Sequence, residues 1–124
     1  MTYLDTHVAV WVYAGESDRL STAAQKRVGD PELFVSPMVM VELQLLWEVG
    51  RLKATAQEVV DGLASGVGVR VCELPFRRVV EQALNERWTR DPFDRLIVAH
   101  AKANGAPLIT KDERIRRYYR QSVW

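Results

Sequence analysis

Four acidic residues stand where a carboxylate could do chemistry rather than only face solvent. Each follows or interrupts a short apolar segment: Asp5, Glu42, Asp94 and Asp112. Two carboxylates about 4 Å apart repel each other by roughly 4 kcal/mol at an effective dielectric near 20, so a fold that gathers such groups needs a cation among them. Ligand sets made only of oxygen suit Mg²⁺ or Mn²⁺. An acidic metal pocket in a small domain is typical of phosphate-ester chemistry.

The elements that must position these residues follow from alternating short apolar runs and longer helical patterns. We predict strands at 2–4, 34–36, 69–73 and 108–110, and helices at 8–13, 22–28, 37–49, 56–64, 75–87, 92–104 and 113–119. Strands separated by helices predict an α/β fold, with three layers and a central parallel sheet of four to five strands, in one domain over 1–124. Ligands bind beyond the carboxyl ends of such strands, so we expect Asp5 and Asp112 at one rim.

Glu42 is the acidic residue that a structural role explains least well. The residues three and four positions away on its predicted helix are all apolar: Met38, Val39, Leu45 and Leu46. No Lys or Arg on the helix is placed to pair with it. Burying a lone carboxylate costs several kcal/mol unless something compensates. A metal or a distant basic group must therefore lie near Glu42, or this side of the helix faces solvent.

The other acids have structural alternatives as helix caps. Asp5 and Asp112 each precede a predicted helix, where Asp is a preferred N-cap. Asp91 precedes Pro92, a residue favoured at the first helical position, so Asp91 is more plausibly structural than catalytic. Asp94 falls in the first turn, where the helix dipole stabilises an anion, and could serve either as a capping-box partner or as a metal ligand.

Neighbouring polar residues could support the acids. Thr6 and Thr110 could hydrogen-bond a carboxylate and orient it. Lys111 could meet a phosphate, although a surface lysine is the simpler interpretation. His7 could reach the rim of the pocket, whereas a zinc site is not indicated because the two histidines lie far apart without cysteine partners.

Charge is unevenly distributed, although the net formal charge is only +1. Residues 1–62 hold five basic against nine acidic residues, and residues 63–124 hold twelve against seven. The tail is the most basic part, with Lys111, Arg114, Arg116, Arg117 and Arg120 around Tyr118 and Tyr119. Such a pattern fits phosphates and unstacked bases, or equally a solvated helix face.

Several classes are disfavoured by what the sequence lacks. The single cysteine, Cys72, cannot form an internal disulfide, and neither a signal peptide nor a membrane span is indicated, so we expect a cytoplasmic protein. There is no Gly-rich phosphate loop and no Gly-x-Ser-x-Gly elbow. The tryptophans are interpreted most simply as core or interface residues: Trp11, Trp47, Trp88 and Trp124.

Four segments together resemble the PIN domain, and specifically the VapC-type toxins of bacterial toxin–antitoxin modules. They are Leu4-Asp5-Thr6, Val41-Glu42-Leu43, Asp91-Pro92-Phe93-Asp94-Arg95-Leu96-Ile97-Val98-Ala99 and Leu108-Ile109-Thr110-Lys111-Asp112. The resemblance implies an α/β/α fold and a metal-dependent ribonuclease. Asp5, Glu42, Asp94 and Asp112 would form its site, with Asp5 and Asp94 as principal metal ligands and Thr110 in support. It also implies homodimers and a small VapB-like antitoxin that wraps the toxin and blocks the pocket.

We therefore expect an endoribonuclease that uses Mg²⁺, or Mn²⁺, to activate water against an RNA phosphodiester. Glu42 or Asp112 could position that water or accept its proton. Candidate RNA contacts are Lys111, Arg114, Arg116 and Arg117. Single-stranded loops are the expected target, and a transfer RNA is suggested by the resemblance alone.

Two other functions remain open. The first is a non-catalytic RNA-binding or regulatory module on the same fold. The second, less favoured, is a receiver-type phosphoacceptor domain, which would want adjacent acids after the first strand, where this chain has Asp5 followed by Thr6.

Overall fold

A five-stranded, all-parallel sheet lies at the centre of the computed structural model, which describes residues 1–124. The strands are β1 (Thr2–Leu4), β2 (Leu33–Val35), β3 (Arg70–Val71), β4 (Leu108–Ile109) and β5 (Ser122–Val123). Their spatial order is β3-β2-β1-β4-β5, and every pair is parallel. The predicted α/β/α fold with four to five parallel strands is confirmed.

Seven helices connect the strands. They are α1 (Thr6–Tyr13), α2 (Thr22–Val28), α3 (Pro37–Glu48), α4 (Ala56–Val67), α5 (Phe76–Ala83), α6 (Pro92–Ala103) and α7 (Glu113–Tyr118), with a 3₁₀ turn at Ser17–Arg19. None of them combines the length and the apolar character that spanning a bilayer requires. Helix α1 packs against α3 and α4, and α6 packs against α3 and α5.

Local sequence sets most helix starts. Ser36 and Asp91 cap α3 and α6, each directly before a proline in the first helical turn. Thr55 and Glu58 form a reciprocal capping box at α4. These starts matter for function because they fix where side chains of the first turn project.

Several predicted boundaries were wrong. Helix α1 begins at Thr6 rather than at residue 8, and β3 ends at Val71 rather than at residue 73. Helix α4 continues through Gly66 to Val67 and is followed by Gly68, whose φ of 73° is a left-handed conformation that glycine adopts without strain. Helix α5 ends at Ala83 instead of reaching residue 87. The second strand ends at Val35, because Ser36 serves as the cap of α3.

One strand was not predicted at all. Strand β5 pairs with β4 through Leu108↔Ser122 and Ile109↔Val123, and it carries Trp124 directly after its carboxyl end. Helices α2 and α7 lie against this edge strand. The last residue of the chain therefore comes to the same rim of the sheet as the ends of β1 and β4.

The strand order reverses between β1 and β4. From β1 the chain builds outward to β2 and β3, and then crosses to β4 and β5 on the other side. The crevice at such a reversal is the usual ligand site of an open parallel sheet. Tyr3, Leu4, Leu108 and Ile109 on these two central strands are fully buried, so the core holds the rim rigidly from below.

Candidate active site

A cavity of about 390 Å³ opens at the carboxyl ends of β1 and β4. Its lining consists of Asp5, His7, Trp11, Glu42, Asp91, Asp94, Lys111 and Asp112. The structure therefore brings all four acidic residues singled out in the sequence into one hollow, although they lie on four different segments.

Asp5 is the most deeply held of these acids, with 7% of its surface exposed. It caps α1, since its Oδ1 accepts a hydrogen bond of 2.8 Å from the backbone N–H of Thr6. Its Oδ2 accepts one of 2.6 Å from the Thr110 hydroxyl. Burial raises the pKa of Asp5 despite these hydrogen bonds, which act to lower it.

Thr110 ties the two central strands to the site. Besides donating to Asp5, its Oγ1 accepts a hydrogen bond of 3.1 Å from the backbone N–H of Asp112. Asp112 in turn caps α7, because its Oδ1 accepts from the N–H of Ile115 at 2.9 Å. The orienting role suggested for Thr110 by its type thus has a matching geometry, and Asp112 has a capping role beside its place in the pocket.

Asp91 and Asp94 differ as their positions predicted. Asp91 Oδ1 caps α6, accepting from the N–H groups of Phe93 at 2.8 Å and Asp94 at 3.4 Å. The carboxylate of Asp94 takes part in no hydrogen bond, so the alternative role of Asp94 as a capping-box partner is excluded. Burial, followed by repulsion from Asp91 and the other pocket acids, raises the pKa of Asp94 to about 7.

Glu42 is half-buried and reaches the same hollow from α3. Burial raises its pKa, and repulsion from Asp5 adds to the effect. The nearby Thr6 hydroxyl partly offsets the rise, although no hydrogen bond of normal geometry joins the two groups, and Thr6 Oγ1 is buried without a partner. Glu42 therefore faces the pocket and not a partner cation.

Excess negative charge is the defining property of this pocket. None of the ion pairs of the molecule involves Asp5, Glu42, Asp94 or Asp112. The donor set is made of carboxylate oxygens, which matches the preference of Mg²⁺ and Mn²⁺. No three Asp, Glu, His or Cys side chains are arranged around one common ion position, so a shared ion would require side-chain movement. The chemistry of the lining nevertheless fits a divalent cation.

The basic residues predicted to contact RNA separate into three groups. Lys111 lines the acidic pocket itself. Arg114 donates a hydrogen bond to the carbonyl of Trp88 and is committed there. Arg116 and Arg117 line a neighbouring recess of about 450 Å³, together with Glu113, Arg120, Ser122 and Trp124.

One feature of the site was missed from the sequence. Trp11 lines the acidic pocket, although it was interpreted as a core or interface residue, and it also packs against the core. His7, by contrast, reaches the pocket as suggested. A four-residue spacing from His7 to Trp11 on a helix starting at Asp5 was the available signal, because such residues share one helix face.

Chemistry rather than size identifies this site. A larger recess of about 490 Å³ lies beside α2 and β5, lined by Ala23, Lys26, Arg27, Gly29, Asp30 and Val123. It contains a single carboxylate, which is engaged by Thr2 and the chain amino group. It therefore lacks the unpaired charge found at the carboxyl end of β1.

An α/β/α domain with an acidic pocket at the reversal of its strand order is the class that this fold and site define. The PIN domain model matches residues 2–121, and the chain belongs to this family. Ribonuclease VapC22 from Mycobacterium tuberculosis is 34% identical over 122 residues, covering 93% of this chain and 89% of that protein.

Two solved structures share the fold. The crystal structure of VapBC2 from Rickettsia felis bound to a promoter DNA fragment matches with a TM-score of 0.63 and 21% identity, over 94% of this chain and 92% of the other. A toxin–antitoxin complex from Klebsiella pneumoniae matches with a TM-score of 0.63 and 15% identity, over 93% and 90%. At these identities the likeness supports the fold alone.

Proposed function

We propose that this protein is a metal-dependent endoribonuclease, the toxin of a VapBC-type module, with residues 1–124 acting as one PIN-like unit. The observation that carries the proposal is the set of four carboxylates without ion-pair partners that line one pocket. Membership of the PIN family and the likeness to a protein named as a ribonuclease support the nuclease class. Mg²⁺ is the proposed ion and Mn²⁺ the alternative.

The roles of the residues follow from their surroundings. Asp5 and Asp94 would hold the ion, Asp5 being fixed by Thr110 and Asp94 being free of hydrogen bonds. The ion would supply charge neutralisation and a nucleophile at neutral pH. Glu42, whose pKa is raised, would position the attacking water and accept its proton, with Asp112 as the alternative. Lys111 would hold a substrate phosphate at the rim.

RNA with unpaired nucleotides is the proposed substrate, either single-stranded or in the loops of a structured RNA such as a transfer RNA. The pocket lies in an open rim, and aromatic and basic side chains surround it, which suits splayed bases and their phosphates. A cytoplasmic location is part of the proposal, because RNA is found there and the only cysteine is a buried free thiol.

Partners are proposed on separate grounds. A VapB-like antitoxin is proposed because both structural neighbours are toxin–antitoxin assemblies. Self-association is proposed because Val41 and Leu45 on α3 and Val49 directly after it form an exposed apolar stripe, with Val49 69% exposed. A Val49→Glu variant that elutes with halved mass in light-scattering chromatography would support a homodimer, and a monomeric unaltered protein would exclude it.

Cleavage assays test the catalytic proposal directly. The unaltered protein, Asp5→Asn and Asp61→Asn would be incubated with a transfer RNA and with single-stranded RNA, in Mg²⁺ and in EDTA. Asp61→Asn makes the same chemical change at an exposed position of α4, so this control variant should cleave RNA normally. We expect cleavage only in Mg²⁺ and its loss in Asp5→Asn. Equal cleavage by Asp5→Asn would exclude the catalytic assignment, and binding without cleavage would favour a non-catalytic RNA-binding module.

A further inference from the structure

Two tryptophans that contact each other, and a lysine equidistant from both ring centres, border the acidic pocket. The ring centroids of Trp11 and Trp124 lie 6.0 Å apart, and the ring planes are inclined at 52°. The Lys111 ammonium lies 6.0 Å from the Trp11 ring centre and 5.9 Å from that of Trp124. We call these three residues the tryptophan cleft. Its rings are only half-buried, and the Arg19 guanidinium also lies 5.9 Å from the Trp11 ring centre.

A second aromatic pair shows what a purely structural stack looks like in this molecule. The rings of Trp88 and Tyr118 lie 5.3 Å apart at only 10°, so each covers a face of the other. The Trp88 indole N–H is also fixed by Glu86 at 2.7 Å. The tryptophan cleft has neither property, because its rings are inclined at 52° and neither indole N–H donates a hydrogen bond.

The cleft is positioned by the same elements that build the acidic pocket. Trp11 lies on α1, which Asp5 caps, and its ring is 6.2 Å from that of His7. Trp124 follows β5, which is held to the end of β4 by a 3.1 Å hydrogen bond from Thr110 N–H to the Val123 carbonyl. Lys111 follows Thr110, so the end of β4 supplies the cation that lies near both rings.

The cleft also connects two cavities of opposite charge. Trp11 and Lys111 line the acidic pocket, whereas Trp124 lines the recess that holds three arginines and one glutamate. A single strand of RNA offers this sequence of groups: a phosphate at the carboxylates and their ion, a base beside it, and further phosphates toward the arginines. Aromatic faces bind unstacked bases of any sequence, and basic grooves track the backbone.

We propose that the tryptophan cleft is a nucleotide subsite that holds one unpaired base of the RNA next to the scissile phosphate. The base stacks on the solvent-facing part of Trp124, whose ring packs against Trp11 at a centroid distance of 6.0 Å, and Lys111 contacts the phosphate that joins this nucleotide to the reacting one. This subsite rests on the proposed RNA-cleaving function for its substrate, but it is tested by binding alone.

Photo-crosslinking tests the proposal on the unaltered protein. The probe is a single-stranded ten-nucleotide RNA with 5-bromouridine at one position at a time, bound in EDTA, where metal-dependent cleavage does not occur. Trypsin releases Trp124 in the peptide 121–124, Trp11 in a peptide ending at Arg19, and Trp47 in a peptide ending at Arg51. We expect crosslinks on the first two peptides from one or two adjacent positions. Crosslinks confined to other peptides would overturn the proposal.

Variants then measure the contribution of stacking. We expect Trp124→Ala to weaken binding of the same RNA about tenfold, and Trp124→Phe to restore most of it, because a base stacks on any aromatic ring. Trp47→Ala is the matched control, since Trp47 is exposed on α3 and should leave affinity unchanged. Removing the crosslinked base should weaken binding to the unaltered protein but not to Trp124→Ala.

The outcomes separate this subsite from the catalytic proposal. Normal RNA affinity in Trp124→Ala would overturn the subsite even where Mg²⁺-dependent cleavage persists, and even where the same variant binds an antitoxin less tightly. Tenfold weaker RNA binding rescued by phenylalanine would support the subsite even where no cleavage is detected. Thermal melts of Trp124→Ala and Trp124→Phe check that the edge strand is intact.

Discussion

Carboxylates are buried at two sites in this molecule, and the two sites differ in whether other side chains pair with the carboxylates. Glu86 is 1% exposed and is fully satisfied: Lys102 Nζ lies 2.9 Å away, Gln82 donates at 3.1 Å and the Trp88 indole at 2.7 Å. Burial alone would raise its pKa, but these donors outweigh burial and hold the pKa of Glu86 below its usual range.

The acids of the pocket receive no comparable support. Burial and mutual repulsion raise the pKa values of Asp5, Glu42 and Asp94, and no ion pair reaches them. Lys111 lines the pocket but forms an ion pair with none of its acids. Carboxylates whose pKa values are perturbed in this way are common at functional sites.

The largest effect expected from this comparison is on catalysis. Asp94→Asn should reduce the rate of RNA cleavage roughly 100-fold or more, because even supporting residues of metal sites cost 10- to 100-fold when lost. Initial rates in saturating Mg²⁺ measure it, with Asp61→Asn as the control. Full activity in Asp94→Asn would remove Asp94 from the ligand set.

The next effect is on stability, at the other carboxylate. Glu86→Gln should lower the free energy of unfolding by about 1 to 3 kcal/mol, because it weakens a buried charge-assisted network around Lys102. Denaturant melts measure the change. Glu81→Gln is the matched control, since Glu81 lies on α5, pairs with Arg77 in solvent and should change stability by under about 0.5 kcal/mol. A neutral Glu86→Gln would mean that the two places do not differ.

Asp94→Asn should change stability in the opposite direction from Glu86→Gln, raising the free energy of unfolding of the metal-free protein by about 1 to 2 kcal/mol at pH 8. This is less than the full conversion of the pKa shift, because Asp94 is only half-buried and screened by solvent. The folded-state pKa near 7 lies above the unfolded value near 3.8, so the folded protein binds more protons between them.

It follows that the stabilisation that protonated Asp94 adds to the free energy of unfolding is complete below about pH 4 and is lost as the pH rises through 7. Melts in EDTA at pH 5, 6, 7 and 8 should show a decline in the unaltered protein that is shallower in Asp94→Asn. Parallel pH profiles would contradict the assignment, and a large loss of stability in the variant would mean that Asp94 supports the start of α6.

The smallest effect concerns the ion itself. At a Mg²⁺ concentration ten times its dissociation constant, binding to the folded state should add about 1.4 kcal/mol of stability to the unaltered protein. Asp94→Asn should lose most of this gain, and Glu86→Gln should keep it. Thermal shifts measured against Mg²⁺ concentration at pH 8 provide the test, and an equal gain in both variants would place the ion elsewhere.

Sequence was sufficient for the parts of the site that rest on local rules. Proline and capping residues predict the starts of α3 and α6, and these starts place Glu42 and Asp94 in early turns. Strands ending in Asp5 and before Asp112 predict a shared rim. The roles of the residues at that rim remain proposals.

The remainder depended on contacts between distant segments. The lysine partner of Glu86 lies sixteen positions away on α6, whereas Glu86 lies in the connection after α5, so no spacing rule connects them. Strand β5 spans only Ser122–Val123 and is stabilised by β4 rather than by its own sequence. Without that strand, nothing predicts that Trp124 reaches Trp11 across the end of the sheet.

Two of the pocket acids also cap helices, and the pocket positions should therefore differ in which substitutions they accept. Asp5 and Asp112 are helix caps, so substitutions that remove the side-chain acceptor should lower the amount of folded protein as well as its activity. Glu42 and Asp94 cap no helix, so many replacements there should leave the amount of folded protein unchanged while abolishing its activity. A saturation library scored separately for abundance and for toxicity would split these four positions into two pairs.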